Sequence, residues 1–223
     1  MQMRVLKNID PVKFILLHLL VVIFIIFPFL PGPYNKVSVI LGMIGNVTAL
    51  LGLVLIPIGF FWWIRKIKTP SFSKLPSTGL YLITIPLIAL GTRMYIAKPM
   101  SNYSRNFAIE RSQQLVTSIE EFKNYQGRYP ENMQELKSDI PRPFIMGIDK
   151  FRYTKYQDQY FLTFSQWPDG GITEEIVLFG KENPEKRWIP QEEYNYQNDM
   201  HRVMGAFASY NTRYDHWRYY LCD

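Results

Sequence analysis

Carboxylates and imidazoles gather near the end of this 223-residue chain, at Glu192, Glu193, Asp199, His201, Asp215 and His216. That mixture is what a metal-assisted or acid/base hydrolase uses, with imidazole holding a divalent ion or moving a proton near neutral pH. The spacing does not favour it. Neither His201 nor His216 stands in a His-x-x-x-His pair, and no ligand interval recurs. The simpler expectation is solvated polar residues on a short helix and a terminal strand. On that expectation there is no metal and no cofactor, and His201 and His216 are left as weak catalytic candidates.

Other catalytic devices are missing from the sequence. It has no Gly-x-Ser-x-Gly elbow, no glycine-rich phosphate loop and no dinucleotide fingerprint, and Gly170-Gly171 reads as turn chemistry. The single cysteine, Cys222, lies one residue from the end of the chain, where mobility is the usual state, and it has no partner for an internal disulfide. Asn102-Tyr103-Ser104 fits a glycosylation sequon, a three-residue match that is frequent by chance. Binding chemistry is better represented. Twelve of the fifteen tyrosines follow residue 100, and Tyr210, Tyr214, Trp217 and Tyr219 are candidates for an aromatic surface that takes a glycan or peptide. An ordinary sheet core accounts for most of the same residues.

What positions these residues is set by an asymmetry of charge. No Asp or Glu occurs between Asp10 and Glu110; the net charge is +10 over residues 1–109 and −4 over 110–223. A basic balance beside apolar runs reads as anchoring at a membrane surface and argues against nucleic-acid binding. Three transmembrane helices are expected, at about 14–30, 37–64 and 78–97. The first is short for a hydrocarbon core, and no small-x-small cleavage site follows Phe27-Pro28-Phe29-Leu30-Pro31, so it reads as an uncleaved anchor. The second ends at Trp62-Trp63 followed by Arg65, Lys66 and Lys68, an interfacial exit. The third carries Arg93 near its end, within snorkelling reach of water.

Counting cations in the flanks fixes the expected orientation. Arg4, Lys7, Lys13, Arg65, Lys66, Lys68 and Lys74 lie on one side, against Lys36, Lys98 and Arg105 on the other. The more basic side stays in the cytoplasm, so the N-terminus is expected there and everything after the third span outside. Within the spans, His18, Asn46 and Arg93 have no acidic neighbour in sequence, which disfavours a pump or proton-coupled transporter. His18 is expected to face a neighbouring helix. Gly42, Gly45, Gly52 and Gly59 would permit close helix approach.

After the spans, Lys98-Pro99 predicts a break and a linker over 99–105. Leu115, Val116, Ile119 and Phe122 recur at helical spacing, predicting a helix from about Asn106 to Tyr125 that Gly127 ends. Pro130 opens a short second helix through Leu136, closed by Pro141 and Pro143. From Phe151 the period becomes two: Phe151–Tyr156 and Tyr160–Phe164 predict a hairpin, 175–179 a further strand and 187–189 a last one. The expected architecture is an α-helical membrane anchor plus an α+β domain over 106–223, a long helix packed on a small antiparallel sheet of three or four strands.

The run Ile119-Glu120-Glu121-Phe122-Lys123-Asn124-Tyr125-Gln126-Gly127-Arg128-Tyr129-Pro130-Glu131-Asn132-Met133-Gln134-Glu135-Leu136, followed by a hairpin, resembles the soluble region of type II secretion pseudopilins and the wider type IV pilin-like group. The resemblance covers about residues 108–166. It implies a helix ending in a Gly-x-Tyr-Pro turn against an antiparallel sheet, and a bacterial envelope location. Pilins assemble through one N-terminal helix with a processing site and an acidic residue near its start, and this chain has neither.

The function these readings favour is a non-enzymatic, multi-pass protein of the cell membrane, the inner one where there are two. It displays an extracytoplasmic domain that binds an envelope protein or glycan or forms a homo-oligomer. The lipid bilayer is its other expected partner. A membrane-anchored hydrolase using His201 and His216, and an accessory subunit of a secretion or transport complex, are the alternatives.

Overall fold

The computed structural model describes residues 10–67, 76–136, 140–168, 173–180, 202–203 and 205–222. The chain divides into two compact units, Met1–Pro28 with Lys36–Met100, and Phe29–Asn35 with Ser101–Asp223.

The first unit is made of helices α1 (Pro11–Ile26), α2 (Lys36–Ile67) and α3 (Pro76–Thr92). Asp10 caps α1, its Oδ1 accepting from the Val12 and Lys13 amides at 3.0 and 3.3 Å. Three helical runs, Pro11–Phe29, Lys36–Arg65 and Gly79–Gln126, are long and apolar enough to cross a membrane. The four glycines of α2 lie where neighbouring chain comes close. A Cβ would come within 2.7 Å of Pro28 at Gly42, 2.6 Å of Ile25 at Gly45, 2.6 Å of Pro86 at Gly52 and 2.9 Å of Ile83 at Gly59. Small residues at such points let apolar helices gain contact where no hydrophobic difference from lipid drives association.

The expected linker at 99–105 is not there. Helical residues continue without a gap from Pro76 through a π turn at Arg93–Ala97 into α4 (Lys98–Gln126). The physical reason lies in the π turn: Pro99 cannot donate to the carbonyl of Tyr95, and a locally widened turn removes the need for that bond. The helix expected from Asn106 therefore starts at Lys98. It ends as predicted, with Gly127 at φ 72° donating its amide to the Lys123 carbonyl at 2.8 Å.

The second unit packs α4 on one antiparallel sheet. Strands β1 (Arg152–Tyr156), β2 (Gln159–Gln166), β3 (Glu174–Phe179), β4 (Ala208–Asn211) and β5 (Trp217–Cys222) lie in the order β1-β2-β3-β5-β4. The β1–β2 hairpin pairs Tyr156 with Gln159, leaving the two-residue turn Gln157-Asp158 with Gln157 at φ 50°. The expected short helix is a 3₁₀ turn over Met133–Leu136. The strand expected at 187–189 lies outside the described residues.

Among the described residues the sheet has five strands where three or four were expected, because residues 208–222 insert β5 beside β3 with β4 next to it. Cys222 is therefore not on a mobile end. It is 3% exposed, and its thiol donates to the Arg202 carbonyl at 3.3 Å. Alternate residues of the central strands feed two cores. Leu162, Phe164, Val177, Phe179 and Trp217 join Ile109, Leu115 and Ile119 of α4, while Phe161, Ile176, Leu178 and Tyr220 cluster with Val203 on the opposite face. Burial on both faces is why β2 and β3 read as nearly continuous apolar runs instead of alternating.

Candidate functional site

Adjacent carboxylates on a strand point to opposite faces, and Glu174 and Glu175 at the start of β3 are both buried. Glu175 faces α4. Arg105 donates to it through Nε at 2.7 Å and Nη2 at 2.6 Å, a bidentate pair whose planar geometries match. Gln166 Nε2 donates to Glu175 Oε1 at 2.8 Å and to Ser101 Oγ at 3.0 Å, and the Ser104 hydroxyl donates to Gln166 Oε1 at 2.5 Å. Glu174, on the other face, pairs with Arg202. Both Glu175 carboxylate oxygens accept hydrogen bonds within this network. The network pins α4 to the sheet.

The aromatic candidates divide between core and surface. Trp217 is buried among Phe164 and Phe179. Tyr214 is half-buried and donates to Glu110 of α4, which Arg213 also pairs at 2.9 Å. Tyr219 covers the Arg105 guanidinium at 3.7 Å, and Tyr210, 48% exposed, stacks on Tyr219 with centroids 5.0 Å apart. Only Tyr210 presents much ring to solvent. Of the four candidates for an aromatic surface, Trp217 is core and Tyr214 and Tyr219 lie against α4 side chains.

Of the polar candidates, His201, Glu192, Glu193 and Asp199 lie outside the described residues. His216 is exposed in the β4–β5 turn at φ 67°, its ring edge-on to Phe179 at 6.1 Å and its carbonyl accepting from the Gly180 amide at 3.1 Å. Among the described residues no three His, Cys, Asp or Glu side chains converge as metal ligands. Burial pushes the hydroxyls of Tyr153 and Tyr160 far up, with Glu131 and Glu120 adding to the respective shifts, so neither supplies a phenolate base.

A concave site lies elsewhere in this unit, built on the loop before β1. Residues 29–35, which connect α1 to α2, lie along that loop. The Gly32 amide donates to the Phe144 carbonyl, the Asn35 amide to the Met146 carbonyl and the Met146 amide to the Leu30 carbonyl, each at 3.0 Å, with Pro31 bridging Ile145. Beside this seam is a cleft of about 560 Å³, lined by Pro33 and Tyr34 from the connector and by Arg142, Phe144, Asp149 and Lys150 from the loop. Phe144 holds φ 54°, a conformation costing a bulky residue about 1–3 kcal/mol, and the residue is 44% exposed. Arg111 of α4 supports it, donating from Nε to the Arg142 carbonyl at 3.0 Å with its guanidinium 5.4 Å from the Phe144 ring centre. Among the described residues Arg142 and Lys150 have no ion-pair partner.

Sequence reasoning missed this cleft. Its wall comes from segments more than a hundred residues apart, and its cations are ordinary loop residues in sequence. No protein family matches the chain, and no curated protein and no solved structure matches it either.

Proposed function

We propose that this chain is a three-span membrane protein with its N-terminus in the cytoplasm, displaying a non-catalytic α+β domain outside for binding or assembly in the cell envelope. The observation that carries the reading is the seam between the α1–α2 connector and residues 144–146. A connector hydrogen-bonded to the domain lies on the domain's side of any bilayer. If α1 and α2 both cross, α3 must cross as well, and Arg93 does not stop it.

Three further features support the reading. The outward side chains of the first two helices are apolar and exposed, Ile15, Leu16, Val47, Leu53 and Phe61 among them, as lipid contact requires. Arg105 is neutralised by Glu175, so the cations opposing the cytoplasmic set lose one of their number. The buried carboxylates of the domain are each paired with an arginine, Glu175 with Arg105 and Glu174 with Arg202, which favours a structural role for them over catalysis. The pilin-like resemblance fits the order helix, glycine cap, short turn and antiparallel strands, and it supports an envelope location by analogy alone.

Cysteine labelling tests the topology. Cys222 is buried and unsuitable as a reporter, so Tyr125→Cys, at a position 88% exposed, and Thr69→Cys, between α2 and α3, are placed in a Cys222→Ala background. A membrane-impermeant maleimide is expected to label Tyr125→Cys in intact spheroplasts and Thr69→Cys only after permeabilisation. The reverse pattern would invert the orientation. Labelling of both from one side would refute the third crossing.

A further inference from the structure

We propose that the cleft between the α1–α2 connector and the loop before β1 seats the phosphate of a bilayer phospholipid headgroup, with Arg142 and Lys150 as its charge partners. The inference rests on the reading above that α1 and α2 cross a bilayer.

Chain connectivity limits how far the cleft can lie from a helix end. Tyr34 lies two residues before Lys36, the first residue of α2, and at about 3.5 Å per residue the connector cannot carry it more than about 7 Å from that helix end. A cleft lined by a residue two positions before a spanning helix is within chain reach of the headgroup layer, where lipid phosphates are the most concentrated anions. The chemistry matches that layer. Two exposed cations without ion-pair partners among the described residues share the cleft with one carboxylate, Asp149, so the balance favours an anion. Tyr34 and Phe144, 39% and 44% exposed, add amphipathic and apolar ring surface of the kind that settles at the acyl boundary. Arg111 holds Phe144 and the Arg142 backbone in place, so the lining is preorganised before a lipid arrives.

Full-length protein in detergent would be titrated with dioleoyl phosphatidylglycerol, with dioleoylglycerol as the phosphate-free counterpart and with inorganic phosphate, and adducts read by native mass spectrometry. Phosphatidylglycerol is expected to bind in preference to dioleoylglycerol. Arg142→Gln/Lys150→Gln is expected to weaken it roughly thirtyfold, taking about fivefold for each cation at a membrane surface. Arg128→Gln/Arg213→Gln, which removes two exposed cations outside the cleft, is expected to leave it unchanged, and Arg142→Lys to retain most of it. Because both cleft side chains are exposed, an unchanged melting curve separates lost binding from lost folding.

Equal binding by the double variant and the wild type, or equal binding of dioleoylglycerol, would overturn the proposal. Inorganic phosphate displacing the lipid at matching concentration would assign the site to a free anion and overturn the lipid source. The cysteine labels separate this failure from the other. Reversed or one-sided labelling defeats the topology, whereas correct labelling with charge-insensitive lipid binding defeats the cleft assignment alone.

Discussion

Two arginines, Arg93 and Arg105, show how differently the two units accommodate a cation. Arg105, in the sheet-containing unit, meets a carboxylate in a bidentate pair and is further tied to Asn102 at 3.1 Å. Arg93, among the apolar helices, donates to the amide oxygen of Asn46 at 2.7 Å, and Asn46 in turn donates to the Gly42 carbonyl at 2.8 Å. His18 follows the same pattern. Its Nδ1 lies 2.6 Å from the Phe14 carbonyl and its Nε2 2.9 Å from the Thr84 hydroxyl, a neutral partner on α3. With no acid between Asp10 and Glu110, Arg93, Asn46 and His18 meet amides, hydroxyls and carbonyls. The difference is one of partner chemistry: the sheet-containing unit holds a charge pair, while Arg93 and His18 meet dipoles on neighbouring helices.

The contrast breaks most sharply at Glu175. Glu175→Ala leaves the Arg105 guanidinium buried and uncompensated, and a loss of about 3–5 kcal/mol is expected in denaturant melts of the full chain. Arg105→Met/Glu175→Leu, which removes both charges, is expected to cost far less. A double variant as unstable as the single one would mean that packing against Tyr219, and not the charge, holds α4 to the sheet.

In the helical unit the corresponding change is Asn46→Leu. It removes an amide acceptor from Arg93, and about 1 kcal/mol is expected, the usual size of one interhelical polar contact in apolar surroundings. A loss as large as that at Glu175 would erase the distinction between the two units.

The smallest effect belongs to the surface. Hydrogen bonding from Lys155 holds the exposed Glu131 carboxyl below its ordinary value of 4.5, with Arg128 contributing. A pKa lowered in the folded state stabilises above the unfolded value, and that contribution is lost as pH falls through the folded one. The difference in melting between wild type and Glu131→Gln is therefore expected to hold from neutral pH down to about 4.5 and to shrink below it. A gap that persists undiminished at about pH 3 would show that the pair does not couple to titration.

Legibility differed between the two units for a reason visible in particular residues. The helical unit repeats one rule, apolar runs bounded by cations and aromatics, and a linear reading finds Trp62-Trp63-Ile64-Arg65 as easily as a structure does. The errors came where a distant segment intervened. Lys98-Pro99 looks like a break because the compensating π turn is a property of hydrogen-bond register, which no residue type announces. Tyr219 and Trp217 can be read as surface or as core from sequence, because nothing local says that β5 lies beside β3.

By itself the sequence determined three apolar helical runs, the glycine-ended helix after them and the first hairpin, because hydrophobic period and turn chemistry act within a few residues. Only the tertiary structure decided that Glu175 and Arg105, seventy positions apart, form a buried pair, that the C-terminal segment completes the sheet, and that residues 29–35 join the distant domain. Those outcomes depend on which segments meet after the chain has closed long loops, and long-range closure leaves almost no trace in local residue patterns.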